Sequence, residues 1–142
     1  MAMEKIPSFS VIIPNRNGAA TLGECLEAVF RAEQEGLEVI VVDDASDDDS
    51  LEVAGRYPVR VVRHETCRGA SAARNSGAAA GRGEILLFID SDVAIPPDTF
   101  EVLKRDFSNP EIGGVVGRLG PFTRFENLCS PVSYTHLRAH ET

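Results

Sequence analysis

Leu37-Glu38-Val39-Ile40-Val41-Val42-Asp43-Asp44 is β-branched and almost unbroken in its apolar character until it stops at two acids. A strand with one wet face alternates apolar and polar residues, so an unbroken run predicts a strand covered on both faces, as in a parallel sheet. Upstream, Phe9-Ser10-Val11-Ile12-Ile13 runs to Pro14, which cannot donate to a ladder and reads as a strand end. Between these runs Leu22, Cys25, Leu26, Val29 and Phe30 recur at helical spacing, behind a Thr21-Leu22-Gly23-Glu24 stretch of capping-box form. Downstream, Ser46 to Asp49 supply N-cap types and first-turn acids for a short helix to about Tyr57, and Val59-Arg60-Val61-Val62 makes a third strand. Gly69 to Gly81 reads as a helix of small residues that can pack closely on a sheet. Ile85-Leu86-Leu87-Phe88-Ile89 reads as the most strongly buried strand and ends in Asp90-Ser91-Asp92. Pro96-Pro97-Asp98 opens a helix through about Phe107, with Phe100, Leu103 and Phe107 on one stripe, and Ile112 to Val116 makes a fifth strand. Strand alternating with helix predicts right-handed βαβ units, hence an α/β fold with a doubly wound, mostly parallel sheet.

Composition bounds what such a fold does here. The 142 residues suit one domain, and 43% hydrophobic with 25% charged residues is the make-up of a globular chain with a real core. Lys and Arg total 14 against 22 Asp and Glu, a net charge of -8 that argues against general binding of nucleic acid or anionic membranes. Any phosphate site therefore needs a local device. The three cysteines, Cys25, Cys67 and Cys129, are far apart and include no CxxC pair, so neither a disulfide framework nor a zinc site is expected. With no apolar leader and no long apolar run, a reducing, cytoplasmic location is expected. After about Gly120 the periodicity fades and no further strand-helix unit follows, as though the pattern stopped mid-fold.

In open parallel sheets, ligands bind beyond the carboxyl ends of the strands. Three polar clusters fall on that edge: Pro14-Asn15-Arg16-Asn17, Asp43-Asp44 and Asp90-Ser91-Asp92. Apolar strands can end in any turn residues, so one shared pocket is the simplest reading. Asp90 and Asp92 are two residues apart; if strand geometry continues, their carboxylates share a side and could hold Mg²⁺ or Mn²⁺, which would invert the local field for a diphosphate. A solvated turn is the bland alternative. Of the second pair, Asp44 is nearer the mouth, placed to accept from a base N–H or a ribose hydroxyl, while Asp47, Asp48 and Asp49 cap the next helix. Six arginines and one acid, Glu65, lie between Arg56 and Arg82, and Arg68 and Arg74 beside the small-residue helix are the candidates for the ligand. The helix start at Gly69-Ala70-Ser71 offers backbone N–H groups to an anion. Cys25 reads as core and His64 as a lone histidine; His136 and His140 lack the acid that a metalloprotease motif needs. No Ser/His/Asp arrangement, P-loop or GxGxxG is visible.

Taken in order, Ser10-Val-Ile-Ile-Pro14, Val39-Ile-Val-Val-Asp43-Asp44-Ala-Ser46, Arg68-Gly-Ala-Ser-Ala-Ala-Arg74-Asn75-Ser-Gly77 and Gly83-Glu-Ile-Leu-Leu-Phe-Ile-Asp90-Ser-Asp92 resemble the successive motifs of family 2 glycosyltransferases with a GT-A fold. The likeness runs from about Phe9 to Gly117. It implies a nucleotide-diphospho-sugar site in which Pro14 with the following loop, including Arg16 and Asn17, Asp44 and the Arg68 to Asn75 segment hold the nucleoside. Asp90 and Asp92 then serve ribose, diphosphate and a Mn²⁺ or Mg²⁺ ion, with Asp92 the principal metal ligand. An inverting transfer to an acceptor hydroxyl is usual in that family, with a carboxylate base. None of Asp98, Glu101, Asp106, Glu111, Glu126 or Glu141 stands in the family's Glu-Asp context, so the catalytic base is unknown and is expected outside this chain. The acceptor, whether glycan, lipid or protein, is equally open; nucleic acid is not expected, and membrane association only through a further C-terminal part. Residues 1–130 are thus expected to be the nucleotide-sugar-binding part of a longer enzyme, inactive alone. Residues 131–142, with Ser133-Tyr-Thr-His-Leu-Arg-Ala-His-Glu-Thr142, do not resemble the family and look like translated adaptor read-through.

Other readings compete. A Rossmann dehydrogenase domain needs glycines in its first turn, and Pro14 to Ala20 supplies only Gly18. A phosphoacceptor receiver domain needs acids after the first and third strands, whereas here they follow the second and fourth. A non-catalytic nucleotide-binding or interaction module is the alternative from a different class.

Overall fold

In the computed structural model, which describes residues 6–32, 34–117 and, as backbone, 134–138, the first strand β1 (Phe9–Asn15) is buried on both faces. It lies between β2 (Leu37–Asp44) and β4 (Ile85–Phe88), with β3 (Arg60–His64) outside β2, giving a parallel sheet of order β3-β2-β1-β4. The helices α1 (Ala19–Arg31), α2 (Ser50–Ala54), α3 (Ala70–Ala80) and α4 (Thr99–Phe107) divide between the faces. Strand residues alternate accordingly. Phe9, Val11, Ile13, Val39 and Val41 pack against Leu22, Cys25, Leu26 and Val29 of α1 and Phe100 and Leu103 of α4. Ile12, Ile40 and Val42 face Ala73 of α3. Ring centroids of Phe9 and Phe100 are 5.2 Å apart, edge to face. The doubly wound α/β expectation is met, and α3 packs as its small residues predict: a Cβ on Gly77 would stand 2.3 Å from Ile12 Cγ2.

Several expectations need correction. Pro14 does not end β1 but lies inside it, opposite Val42. Ile85 N and Ile89 N donate to Ser8 O and Ile12 O, both at 3.0 Å, so even-numbered positions of β1 point their backbone groups toward β4. The N–H that Pro14 lacks is the one that would meet Ile89 O as the next rung, so proline ends the β1–β4 ladder while β1 continues to pair with β2. Thr21 is not an N-cap: α1 begins at Ala19 after Gly18, and the Thr21 hydroxyl donates to Gly18 O within the first turn. Asp48 supplies the cap from a distance, its Oδ2 accepting Ala19 N–H at 3.0 Å. Helix α2 ends at Ala54, and tighter turns, with Arg56 N–H on Val53 O at 3.2 Å and Tyr57 N–H on Ala54 O at 3.1 Å, carry the chain to Tyr57, which Pro58 keeps from helical geometry.

The larger correction concerns β4. It is an edge strand whose residues alternate between half-buried and exposed, with Leu86 38% and Phe88 45% exposed. Ile85 and Leu87 pack on the α1 and α4 side, but α3 lies over β1 and β2 and leaves the opposite side of β4 uncovered. Nor does the fifth strand extend this sheet. β5 (Ile112–Gly117) pairs antiparallel with β6 (Tyr134–Arg138), inside the stretch expected to be an unrelated tail. The side chains of His136, His140 and Glu126 and the thiol of Cys129 lie outside the described residues. No described helix is long and apolar enough to cross a membrane.

β1 leads to β2 and β3 on one side and parallel β4 lies on the other, so the order in which strands are laid down reverses at the β1/β4 boundary. At such a switch point, connecting loops diverge and open a crevice beyond the strand ends.

Candidate functional site

At the end of β2 both acids are buried. The Asp44 carboxylate meets four donors: Arg68 N–H at 2.8 Å and His64 Nδ1 at 2.8 Å on Oδ1, and Gly69 N–H at 2.9 Å and the Cys67 thiol at 3.4 Å on Oδ2. These bonds, that from the Arg68 amide foremost and then that from His64, hold its pKa far below the usual carboxylate range although burial opposes them. The expectation of a carboxylate free to receive a base or ribose changes accordingly: Asp44 spends its acceptor positions on the chain, and fixes the Cys67-Arg68-Gly69 turn. Gly69 adopts φ +94°, a left-handed conformation that glycine tolerates, and presents its N–H to Asp44 as α3 begins.

Asp43 is bonded to the loop after β1. Its Oδ1 accepts from Asn15 Nδ2 at 3.3 Å and its Oδ2 from Ser46 N–H at 3.1 Å. Asn17, at φ +53°, donates its N–H to Ser46 Oγ at 2.9 Å and accepts from Asp47 N–H at 2.8 Å. Its side-chain oxygen therefore joins two loops. Ala45 is held at φ +59°, a strained conformation for a residue with a Cβ. Arg16 reaches across to donate to Cys67 Sγ.

The third loop follows β4. Strand geometry ends at Phe88, and a turn closed by Val93 N–H on Asp90 O at 3.0 Å carries Asp90-Ser91-Asp92, so the alternation argument for a shared side does not apply. The turn is anchored from beneath by the Cys25 thiol on Asp90 O at 3.6 Å and from α3 by Arg74, 3.6 Å from Asp90 Oδ1. Burial, reinforced by the Asp92 and Asp90 charges, pushes the Cys25 thiol up to about 12, and its expected place in the core is confirmed. A Cβ on Gly18 would stand 2.3 Å from Asn15 Oδ1 and 2.8 Å from Ser91 Oγ, so a bare α-carbon lets the β1 and β4 loops close on each other.

Pro14, Arg16, Asn17, Asp44, Arg68, Arg74, Asp90 and Asp92 all stand at the carboxyl edge of the sheet, and these contacts join their loops into one rim. The arginine patch divides: Arg56 pairs with Glu52, Arg60 and the Arg82 N–H meet Glu38 at the other end of the sheet, and Arg63 is exposed on β3, so Arg68 and Arg74 are its members at the rim, where Arg16 of the β1 loop joins them. Sequence reasoning missed three groups. Asn15 Oδ1 is buried with no hydrogen-bond partner among the described residues. His64 is buried, not isolated, and its Nε2 lies 2.8 Å from Ser76 Oγ, so an Asp44-His64-Ser76 line exists that no spacing announced. Register could have found it, since β3 pairs His64 with Asp44.

Among the described residues no group of three or more His, Cys, Asp and Glu side chains gathers as a metal site. Asp90 and Asp92 are nonetheless exposed oxygen donors on one turn, which suits a Mg²⁺-type ion that binds through one or two carboxylates plus waters and substrate phosphates.

The fold is that of part of a GT-A glycosyltransferase. The structure is similar to the Pyrobaculum calidifontis mannosyltransferase PcManGT in complex with GDP-Man and Mn²⁺ (TM-score 0.74, 28% identity, 83% of this chain and 37% of that one). It is similar also to Mycobacterium tuberculosis glucosyl-3-phosphoglycerate synthase with Mn²⁺, UDP and glucosyl-3-phosphoglycerate (TM-score 0.63, 28% identity, 72% and 40% of the two chains). In sequence it is 38% identical over 106 residues to an uncharacterised glycosyltransferase of Haemophilus influenzae, covering 73% of this chain and 36% of that protein. The family model of glycosyl transferase family 2 matches residues 10–138, and the chain belongs to that family. It spans less than half the length of the relatives and structures it matches.

Proposed function

We propose that this chain is the donor-binding part of a divalent-metal-dependent glycosyltransferase, which passes a sugar from a nucleoside-diphospho-sugar to an acceptor hydroxyl with inversion. The observation that carries the reading is the rim: Asp90, on one turn with Asp92, lies beside Arg74 at the β1/β4 switch, in a fold shared with proteins holding GDP-Man or UDP together with Mn²⁺. Residues 1–130 form the donor-binding part, and the acceptor side and base lie outside it. A cytoplasmic setting fits the free thiols of Cys25 and Cys67.

The chain's own groups have distinct tasks. Asp90 and Asp92 would hold Mn²⁺ or Mg²⁺, whose charge stabilises the departing diphosphate when bound. Arg74 orients Asp90 and adds positive charge beside the phosphates, while the Arg68-Gly69 turn, fixed by Asp44, borders the nucleoside with Pro14, Arg16 and Asn17. Calorimetry with UDP, GDP and NAD, each with and without Mn²⁺, tests this. Metal-dependent binding of a nucleoside diphosphate, lost in Asp92→Asn, is expected, with no transfer by this chain alone. Metal-independent binding of NAD, or an Asp92→Asn variant that binds as wild type, would overturn the reading.

A further inference from the structure

His64 is a buried titratable group that the donor reading does not use. Its ring is 7% exposed at the end of β3, with Nδ1 2.8 Å from Asp44 Oδ1 and Nε2 2.8 Å from Ser76 Oγ. An ionised carboxylate only accepts, so Nδ1 carries the proton; in the neutral ring Nε2 then accepts from the Ser76 hydroxyl. Against β1 and β2 the packing of α3 is apolar, Ala73 lying over Ile12, Ile40 and Val42, and besides His64 the polar tie from β3 is Arg60, which donates to Ala80 O at the far end of the helix. One imidazole thus ties the carboxylate that fixes the Arg68-Gly69 turn to the helix that carries Arg74.

The line of Asp, His and Ser does not make a nucleophile. Ser76 lies well inside α3 (Ala70–Ala80), where backbone N–H groups are spent on helical bonds, so no pair of donors is aimed at a developing oxyanion. What remains is geometry. β2, which ends at Asp44, and α3, which starts behind its N-cap Gly69, are separate elements, and His64 is hydrogen-bonded to both.

We propose that His64, as the Nδ1–H tautomer, is a positioning residue of the donor site: by bridging Asp44 and Ser76 it locks α3, with its N-cap Gly69 and with Arg74, onto the end of β2 and so sets where that helix meets the Asp90 turn. This rests on the donor-binding reading, so the experiment has an arm that needs no nucleotide. Imidazole ¹⁵N spectra of the ligand-free chain should show a protonated Nδ1 and an unprotonated Nε2 on His64, and Ser76→Ala should shift Nε2 and the Arg74 amide. A protonated Nε2 with a bare Nδ1 would overturn the proposal. The second arm is calorimetry with UDP or GDP and Mn²⁺. His64→Asn keeps a donor near the Nδ1 position but gives up Ser76, and His64→Gln reaches toward Ser76 but abandons Asp44, so each cuts the bridge at one end and each should weaken binding by about tenfold. A folded variant of either kind that binds as tightly as wild type sinks the proposal. Wild type that binds no nucleotide with either metal sinks the donor reading instead, while the spectra still decide the tautomer and the bridge.

Discussion

Asp44→Asn changes one oxygen to an NH₂ in a pocket built entirely of donors. Arg68 N–H and His64 Nδ1–H converge on Oδ1, and Gly69 N–H and the Cys67 thiol on Oδ2. The amide will turn its oxygen to the stronger pair and set its NH₂ against Gly69 N–H and the weak thiol donor. A stranded buried N–H costs about 1–3 kcal/mol, and the two retained bonds lose the reinforcement of a full charge, so a net loss of about 3 kcal/mol is expected. Urea unfolding at pH 7 reads this as a lower midpoint at unchanged slope. The pH dependence isolates the charge. Asp44 titrates below its unfolded value near 3.9, so its contribution is complete above that pH and is lost as pH falls toward the lowered folded value. In that window wild-type stability should fall more steeply than the variant's, the difference approaching about 1.4 kcal/mol per pH unit for one proton. A variant within 0.5 kcal/mol of wild type, or two parallel pH profiles, would refute the assignment of Asp44 as the clamp of this turn.

Three further outcomes are expected. Gly77→Ala gains about 1 kcal/mol in helix propensity but drives a methyl to 2.3 Å from Ile12 Cγ2, and should lower stability by about 1–3 kcal/mol overall in thermal or urea unfolding. Ala45→Gly relieves a left-handed φ of +59° and should raise stability by about 1 kcal/mol; a loss in the same unfolding experiment would show that the strain is absent. In site-resolved alkylation at pH 8, exposed Cys67 should react in minutes while Cys25, buried and raised to about 12, stays unmodified until the chain unfolds.

Much of this fold is legible in the chain because burial on both sides of a strand leaves a continuous apolar signature. Val39 to Val42 is such a signature, and so is the small-residue face of α3 around Ala73 and Gly77. The same logic misleads at β4. Ile85 to Ile89 is as apolar as β2, yet apolarity reports what a strand can tolerate, and whether α3 extends over it depends on helix placement that no local pattern encodes. Site residues were legible by type and edge but not by partner. Asp44, Asn17 and Arg74 were expected to face a ligand; the first two are bonded to their own chain and the third stands 3.6 Å from Asp90. His64 stayed hidden because its significance depends on the β2-β3 register and on the turn of α3 that brings Ser76 to Nε2.

The acids of this chain sort into two populations, and the sorting explains where a ligand can enter. Asp43, Asp44 and Asp48 all accept from backbone N–H groups of neighbouring loops, so their charge is neutralised by hydrogen bonds that an incoming anion would have to break. Such carboxylates make the rim rigid without making it attractive to phosphate. Asp90 and Asp92 are different: exposed, on a turn whose backbone is already held by Val93 and Cys25, they keep acceptor capacity that only a cation can use well. In the proposed reading, a chain of net charge -8 draws a diphosphate to the β1/β4 switch by way of a divalent ion held there, with Arg74 as its companion. Affinity for nucleoside diphosphate should therefore rise with Mn²⁺ concentration until the turn is saturated, whereas affinity for the uncharged nucleoside should not move. Equal dependence of both on the metal would mean that the ion shapes the nucleoside side of the rim, and that the division of labour argued from these two sets of acids is mistaken.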